Sequence, residues 1–163
     1  MRLLIVRHAT AVPQGTPGLS DPDRPLTPAG EKKFGAAARG LAAVLGAPDA
    51  LLTSPWLRAL QTAEIAAAAW GEVSVRKTPA LAGGDFDELA KVVDRYRDKE
   101  LVAVVGHEPW LSALLARLLG TPHDGRLAFK KGGAALVDVR DGLAGGGRLV
   151  WYLPPRLLRA LGE

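Results

Sequence analysis

Apolar residues recur along the chain in short runs separated by polar, Gly- or Pro-marked punctuation. Leu3-Leu4-Ile5-Val6 and Leu101-Val102-Ala103-Val104-Val105 are continuous aliphatic runs. Runs of this length and type predict strands buried on both faces of a sheet. Ala50-Leu51-Leu52-Thr53 reads as a further strand, and Val73 to Lys77 alternates like a half-exposed one. Ala134 to Val139 and Arg148 to Leu153, joined by the Gly-rich stretch 142–147, predict an antiparallel hairpin.

Helical spacing fills the intervals. Thr27-Pro28 is a cap followed by a proline at the first helical position. The helix it opens runs to about Leu45, with Phe34, Ala37, Ala38, Leu41 and Leu45 as its buried stripe. Ser54-Pro55 repeats the signal and predicts a helix to about Trp70, with Ser54 as cap. Asp85 to Glu88 opens a helix ending near Arg97, with Asp85-x-x-Glu88 spaced as a capping box. Further helices are predicted from about Pro109 to Leu119 and from Pro155 to Leu161, with 79–84 as loop. Residues 11–26 hold four prolines and two glycines and read as a loop long enough to be functional.

Alternating strands and helices predict an α/β fold in three layers: a mainly parallel sheet flanked by helices, ending in an antiparallel C-terminal edge hairpin. At 163 residues the chain is expected to form a single domain spanning 1–163. With 48% apolar residues it is not of the disordered class. The absence of cysteine excludes disulfides, thiolate metal sites and cysteine nucleophiles. No signal peptide or membrane-spanning run is recognisable, so a soluble, cytoplasmic protein that does not engage membranes is expected. The formal charge of +4 suits an anionic ligand, but the basic residues are scattered and suggest no nucleic-acid track.

The chemistry emerges where strands end. Arg7-His8 follows the first strand, Arg58 lies early in the helix after the second, and Gly106-His107-Glu108 follows the fourth. If these strands are parallel, their carboxyl ends share the sheet edge where α/β proteins bind ligands. Two arginines can each grip phosphate oxygens through paired N–H donors. A histidine nitrogen can attack phosphorus, and a second histidine, if protonated, can stabilise the spreading negative charge. Such a cluster can do without a metal or cofactor, and none is expected.

These residues also resemble a known family. Val6-Arg7-His8-Ala9 resembles the Arg-His-Gly signature of the histidine phosphatase (phosphoglycerate mutase-like) superfamily. The stretch Ser54-Pro55-Trp56-Leu57-Arg58-Ala59-Leu60-Gln61-Thr62 resembles its second motif and Gly106-His107 its third. The short length and Arg24-Pro25-Leu26-Thr27-Pro28-Ala29-Gly30 resemble the SixA-like phosphohistidine phosphatases within it. The resemblance implies His8 as the phosphorylated nucleophile, with Arg7, Arg58 and His107 forming the phosphate pocket and Arg24 at its mouth. Ala9 departs from the signature glycine, and its side chain is expected to crowd a backbone conformation that suits glycine.

A general acid is less evident. Asp85, Asp87, Glu88 and Glu108 are candidates; Glu108 directly follows His107, and acids follow the second histidine in some branches of the superfamily. His123, in a turn after a helix, reads as a surface residue. Trp56 and Trp110 read first as core, and Lys130-Lys131 as a solvated strand end. The leading expectation is a metal-independent phosphatase acting through a phosphohistidine intermediate, on a phosphohistidine-bearing protein. The alternatives are a phosphatase of small phosphoesters using the same site, and a non-catalytic phosphate- or phosphoprotein-binding module. Little chain is available for a cap over the pocket, so the pocket is expected to be open.

Overall fold

The computed structural model describes residues 1–163. Six strands form one sheet: β1 (Arg2–Arg7), β2 (Ala50–Thr53), β3 (Val75–Lys77), β4 (Leu101–Gly106), β5 (Ala134–Val139) and β6 (Gly147–Leu153). Their order is β3-β2-β4-β1-β5-β6. β4 runs parallel to β1 and to β2, and β2 parallel to β3. β5 is antiparallel to both β1 and β6, so the hairpin closes one edge as the sequence implies.

Six helices flank the sheet: α1 (Pro28–Val44), α2 (Leu57–Ala69), α3 (Ala80–Gly83), α4 (Phe86–Val93), α5 (Trp110–Leu119) and α6 (Pro155–Leu161). The continuous aliphatic strands serve two cores. Leu4 and Val6 face a cluster with Phe34, Leu41, Ala59 and Leu158, on the side of α1, α2 and α6. Leu3 and Ile5 face a cluster with Leu81, Leu89, Leu111 and Leu114, on the side of α3, α4 and α5. Both faces of β1 are dry, which is why its pattern is continuous and not alternating. Ile5 is fully buried, and truncating such a residue to Ala costs about 2–5 kcal/mol.

Helix boundaries follow their caps. The Thr27 side chain accepts from Gly30 N at 2.9 Å, and Pro28 occupies the first helical position. Gly30 has a second role: a Cβ there would lie 2.2 Å from the Thr10 carbonyl oxygen, so only glycine lets α1 abut the segment after β1. Ser54, expected as a helix cap, is not one. α2 starts three residues later, behind Trp56, because the Ser54 hydroxyl is held at the end of β2 by His107 and by Trp56 N–H. The stretch 79–84, expected as loop, contains α3, with Gly84 in the left-handed region closing it. Asp85 caps α4 by accepting from Asp87 N and Glu88 N, but Glu88 turns outward to Lys91 and does not complete a capping box. α4 stops at Val93 and continues as a single tight turn over Asp94–Tyr96. No helix is long and apolar enough to cross a membrane.

Candidate active site

The parallel pairing brings the carboxyl ends of β1, β2 and β4 to one sheet edge, and Arg7, His8, Arg58 and His107 meet there. Antiparallel β5 begins at the same edge, so the segment preceding it is delivered to the site as well. Gly132 N–H donates to the carbonyls of Arg7 and His8, at 3.1 Å each. All four residues line one cavity of about 1020 Å³. Glu108, Arg24, Trp56, Trp110, His123 and Lys131 also line it.

His8 is 6% exposed. Its Nδ1 lies 2.7 Å from the carbonyl oxygen of Ala9, an acceptor that fixes the proton on Nδ1. Nε2 therefore carries the lone pair, which accepts from Arg58 Nε at 3.2 Å. Burial, and then the neighbouring His107, Arg58 and Arg7, push the His8 imidazole down to about 3, although its bond to Ala9 works the other way. The ring is neutral at physiological pH.

Arg58 is held by three residues, Asp21, Trp56 and Thr62. Its Nη1 donates to the Asp21 carbonyl at 2.7 Å and its Nη2 meets the Asp21 carboxylate at 3.5 Å. Its guanidinium carbon sits 4.8 Å from the Trp56 ring centroid. Thr62, one turn along α2 and fully buried, donates to the Arg58 carbonyl at 2.6 Å and accepts from Ala9 N at 3.0 Å. One hydroxyl thus ties the backbone of the β1 loop to the helix carrying Arg58.

His107 lies with its ring centroid 5.2 Å from that of His8 and 4.8 Å from that of Trp56. Its Nε2 is 2.7 Å from Ser54 Oγ. Burial, then the Arg58 charge, lowers its pKa to about 4. Arg7 Nη1 donates to the Phe129 carbonyl at 2.5 Å. Three buried polar atoms have no partner within the protein: Arg7 Nε, His107 Nδ1 and Trp110 Nε1. All belong to residues lining the same cavity. Buried groups left without partners are rare, and three around one cavity mark a place built for a polar ligand.

Arg24 stands at the cavity wall as expected, with Nε on the Asp21 carboxylate at 2.7 Å and Nη1 on the Val12 carbonyl at 2.8 Å. Asp21 was not singled out from the sequence, yet it bridges Arg24 and Arg58, and those cations hold its carboxyl below the usual range. Glu108 lines the cavity; its carboxylate accepts from Phe129 N at 3.1 Å and from Ser112 Oγ at 2.5 Å. Ser112 in turn meets His123 Nε2 at 2.9 Å. Asp85, Asp87 and Glu88 do not line this cavity and serve α4, as cap or in ion pairs with Arg117 and Lys91.

Trp56 is a half-buried cavity wall and not a core residue; Trp110 packs against the core cluster of α3, α4 and α5 as expected and walls the cavity as well. Lys130 and Lys131 are exposed ahead of β5 as expected, and Lys131 also lines the cavity. Ala9 does not crowd its backbone: Glu72 is the one non-glycine residue with positive φ, so Ala9 sits where any L-residue fits. His123 is exposed as expected, but on the cavity rim.

Comparison with known proteins agrees with this geometry. The model of the histidine phosphatase superfamily (branch 1) matches residues 3–92. The chain belongs to the histidine phosphatase superfamily. An uncharacterised protein of Mycobacterium tuberculosis is 40% identical over 121 residues, covering 71% of this chain and 73% of that protein. An uncharacterised protein of a Picosynechococcus strain is 33% identical over 148 residues, 88% of this chain and 87% of that protein. Among solved structures, the protein histidine phosphatase SixA complexed with tungstate superposes with a TM-score of 0.83 at 27% identity, covering 97% of this chain and 99% of that one. A candidate phosphohistidine phosphatase SixA from Nakamurella multipartitia gives 0.74 at 30% identity, covering 94% and 95%. This histidine phosphatase is accordingly a SixA-like member of the phosphoglycerate mutase-like fold, a phosphatase by class.

Proposed function

We propose that the protein is a metal-independent phosphatase that removes phosphoryl groups from protein phosphohistidine through a phosphorylated His8. The observation that carries the reading is the fixed tautomer of His8: Nδ1 bonded to the Ala9 carbonyl, with Nε2 left as the lone pair facing Arg58. A neutral imidazole so oriented attacks phosphorus in line. The new bond joins Nε2 to phosphorus, the bond from phosphorus to the substrate nitrogen breaks, and the leaving imidazole takes the electron pair. Water then attacks the phospho-enzyme and returns His8 with free phosphate.

Arg7, Arg58 and His107 receive the phosphoryl oxygens. Two guanidiniums supply fixed positive charge in a water-poor site, where it counts for more than in bulk water. This charge is what a divalent cation supplies in other phosphoryl-transfer sites, which supports metal independence. His107, neutral at physiological pH, gains reason to protonate once a phosphate dianion lies beside it. The buried atoms Arg7 Nε and His107 Nδ1 then find acceptors. Arg24 borders the entrance and steadies Asp21. Glu108 is placed to pass a proton to a poor leaving group, and a protonated imidazole leaving group makes that help unnecessary.

Likeness to SixA favours phosphohistidine on a protein. One observation favours small phosphoesters instead: the 1020 Å³ cavity exceeds a phosphoryl group, and Trp56 and Trp110 wall it. The test is phosphate release from a phosphohistidine-bearing protein by wild type and His8→Ala, both in chelator. Release by wild type alone is expected. Hydrolysis of aryl phosphates only would move the substrate to the second reading. Silence on every phosphate compound would leave a binding module.

A further inference from the structure

The hollow around the reaction centre has a neighbour. A second hollow of about 190 Å³ shares Thr10 and Lys131 with the main cavity and is otherwise bordered by Lys33, Phe34, Pro155 and Arg159 among others. Its three cations come from three different elements: Lys33 from α1, Lys131 from the segment before β5, and Arg159 from α6. No carboxylate lines it, and none of the three cations takes part in an ion pair. Phe34, which is 2% exposed, gives this basic ring an apolar floor.

We propose that this hollow holds an acidic side chain of the protein substrate, a few residues from the phosphorylated histidine. The proposal rests on the phosphohistidine reading above and names what that substrate carries beside its phosphoryl group. Proximity supports it. Ala9 and Thr10, which follow His8 directly, line the hollow, and Gly132 in its wall donates to the His8 carbonyl. An extended peptide advances about 3.3 Å per residue, so a chain with its phosphohistidine at His8 can run on into the adjoining hollow, which shares Thr10 and Lys131 with the main cavity. Three unpaired cations beside a reaction centre also raise the local concentration of acidic segments.

The test uses two peptides with a stable phosphonate mimic of phosphohistidine. One is flanked by Asp and Glu, the other by Gly and Ser at the same positions. Binding to the full-length protein is followed by fluorescence anisotropy at low and at raised salt. Wild type is expected to bind the acidic peptide about tenfold more tightly, a preference that salt erodes. Lys33→Glu/Arg159→Glu abolishes the preference and leaves aryl phosphate turnover within about twofold of wild type, since neither residue lines the main cavity. Lys33→Gln/Arg159→Gln, a milder change, reduces it. Equal affinity for the two peptides, or a preference surviving both double variants, overturns the proposal. Phosphohistidine turnover by wild type is measured beside it. If turnover is absent, the functional reading fails; if it is present while the peptides bind equally, only the acidic-residue site fails.

Discussion

Acidification is expected to unfold this protein through the same two histidines that build the reaction centre. His8 and His107 are 6% and 7% exposed and are held neutral, at about 3 and about 4. In the unfolded chain each titrates near its ordinary value of about 6.5. Between these values the unfolded state binds more protons than the native state, so stability falls as pH falls. The contribution is fully present above about pH 6.5 and is lost progressively on the way down. From about pH 7.5 to about pH 5, each histidine costs about 2 kcal/mol, or about 4 kcal/mol together. Because both native values lie below that lower pH, this figure is set by the unfolded chain and hardly depends on how far burial pushes either ring. Against a typical total of about 5–15 kcal/mol, the loss is large. Urea unfolding at the two pH values, for wild type and for His8→Asn/His107→Asn, isolates it from the carboxylates common to both. Wild type is expected to lose about 4 kcal/mol more than the double variant over this interval. Equal losses would refute the claim that the two rings are held neutral by burial.

Arg58→Lys removes the Nε donor to His8 and the stacked plane beside Trp56; kcat/KM for phosphate release is expected to fall about 10²–10³-fold while the thermal midpoint stays within a few degrees. Thr62→Val keeps the shape but strands Ala9 N–H without an acceptor, at a cost of about 1–3 kcal/mol in urea unfolding, whereas Thr62→Ser retains most of it. Ala9→Gly, which restores the signature residue, is expected to destabilise by about 0.5–1 kcal/mol, because no strain exists for glycine to relieve; a gain in stability would contradict the backbone geometry. Glu108→Gln is expected to slow hydrolysis of alkyl phosphates at least about tenfold more than that of phosphohistidine, read from paired kcat/KM values.

The parts legible in the sequence were those fixed by local pattern. Leu3–Val6 and Leu101–Val105 announced doubly covered strands, and the polar residues immediately after them had to emerge at one sheet edge once the strands were parallel. Arg7, His8, Arg58 and His107 needed nothing more to be brought together. What stayed hidden was set by pairing in space. Lys131 and the Phe129 carbonyl reach the site only because β5 runs antiparallel to β1 and so begins at the site's edge. Asp21 lies in a Pro- and Gly-rich loop with no periodicity, and its partner Arg58 is 37 residues away. Mixed charge in the stretch 21–24 was the one available signal. Ser54 misled because a serine before a proline is a good helix cap; a buried imidazole across the sheet edge competed for its hydroxyl and won.

The arrangement also accounts for why Thr62 belongs with the site although it does not line the cavity. His8 depends on the Ala9 carbonyl for its tautomer, and the Ala9 amide depends on Thr62. Thr62 simultaneously donates to the backbone of Arg58, whose Nε meets the other side of the same imidazole. Both nitrogens of His8 are therefore set by partners anchored to one buried hydroxyl on α2. A rigid helix, and not the loop after β1, then determines where the lone pair sits relative to Arg58. Loss of that hydroxyl is expected to move both anchors together, which separates it from loss of Arg58 alone: Thr62→Val lowers stability and turnover jointly, Arg58→Lys turnover only.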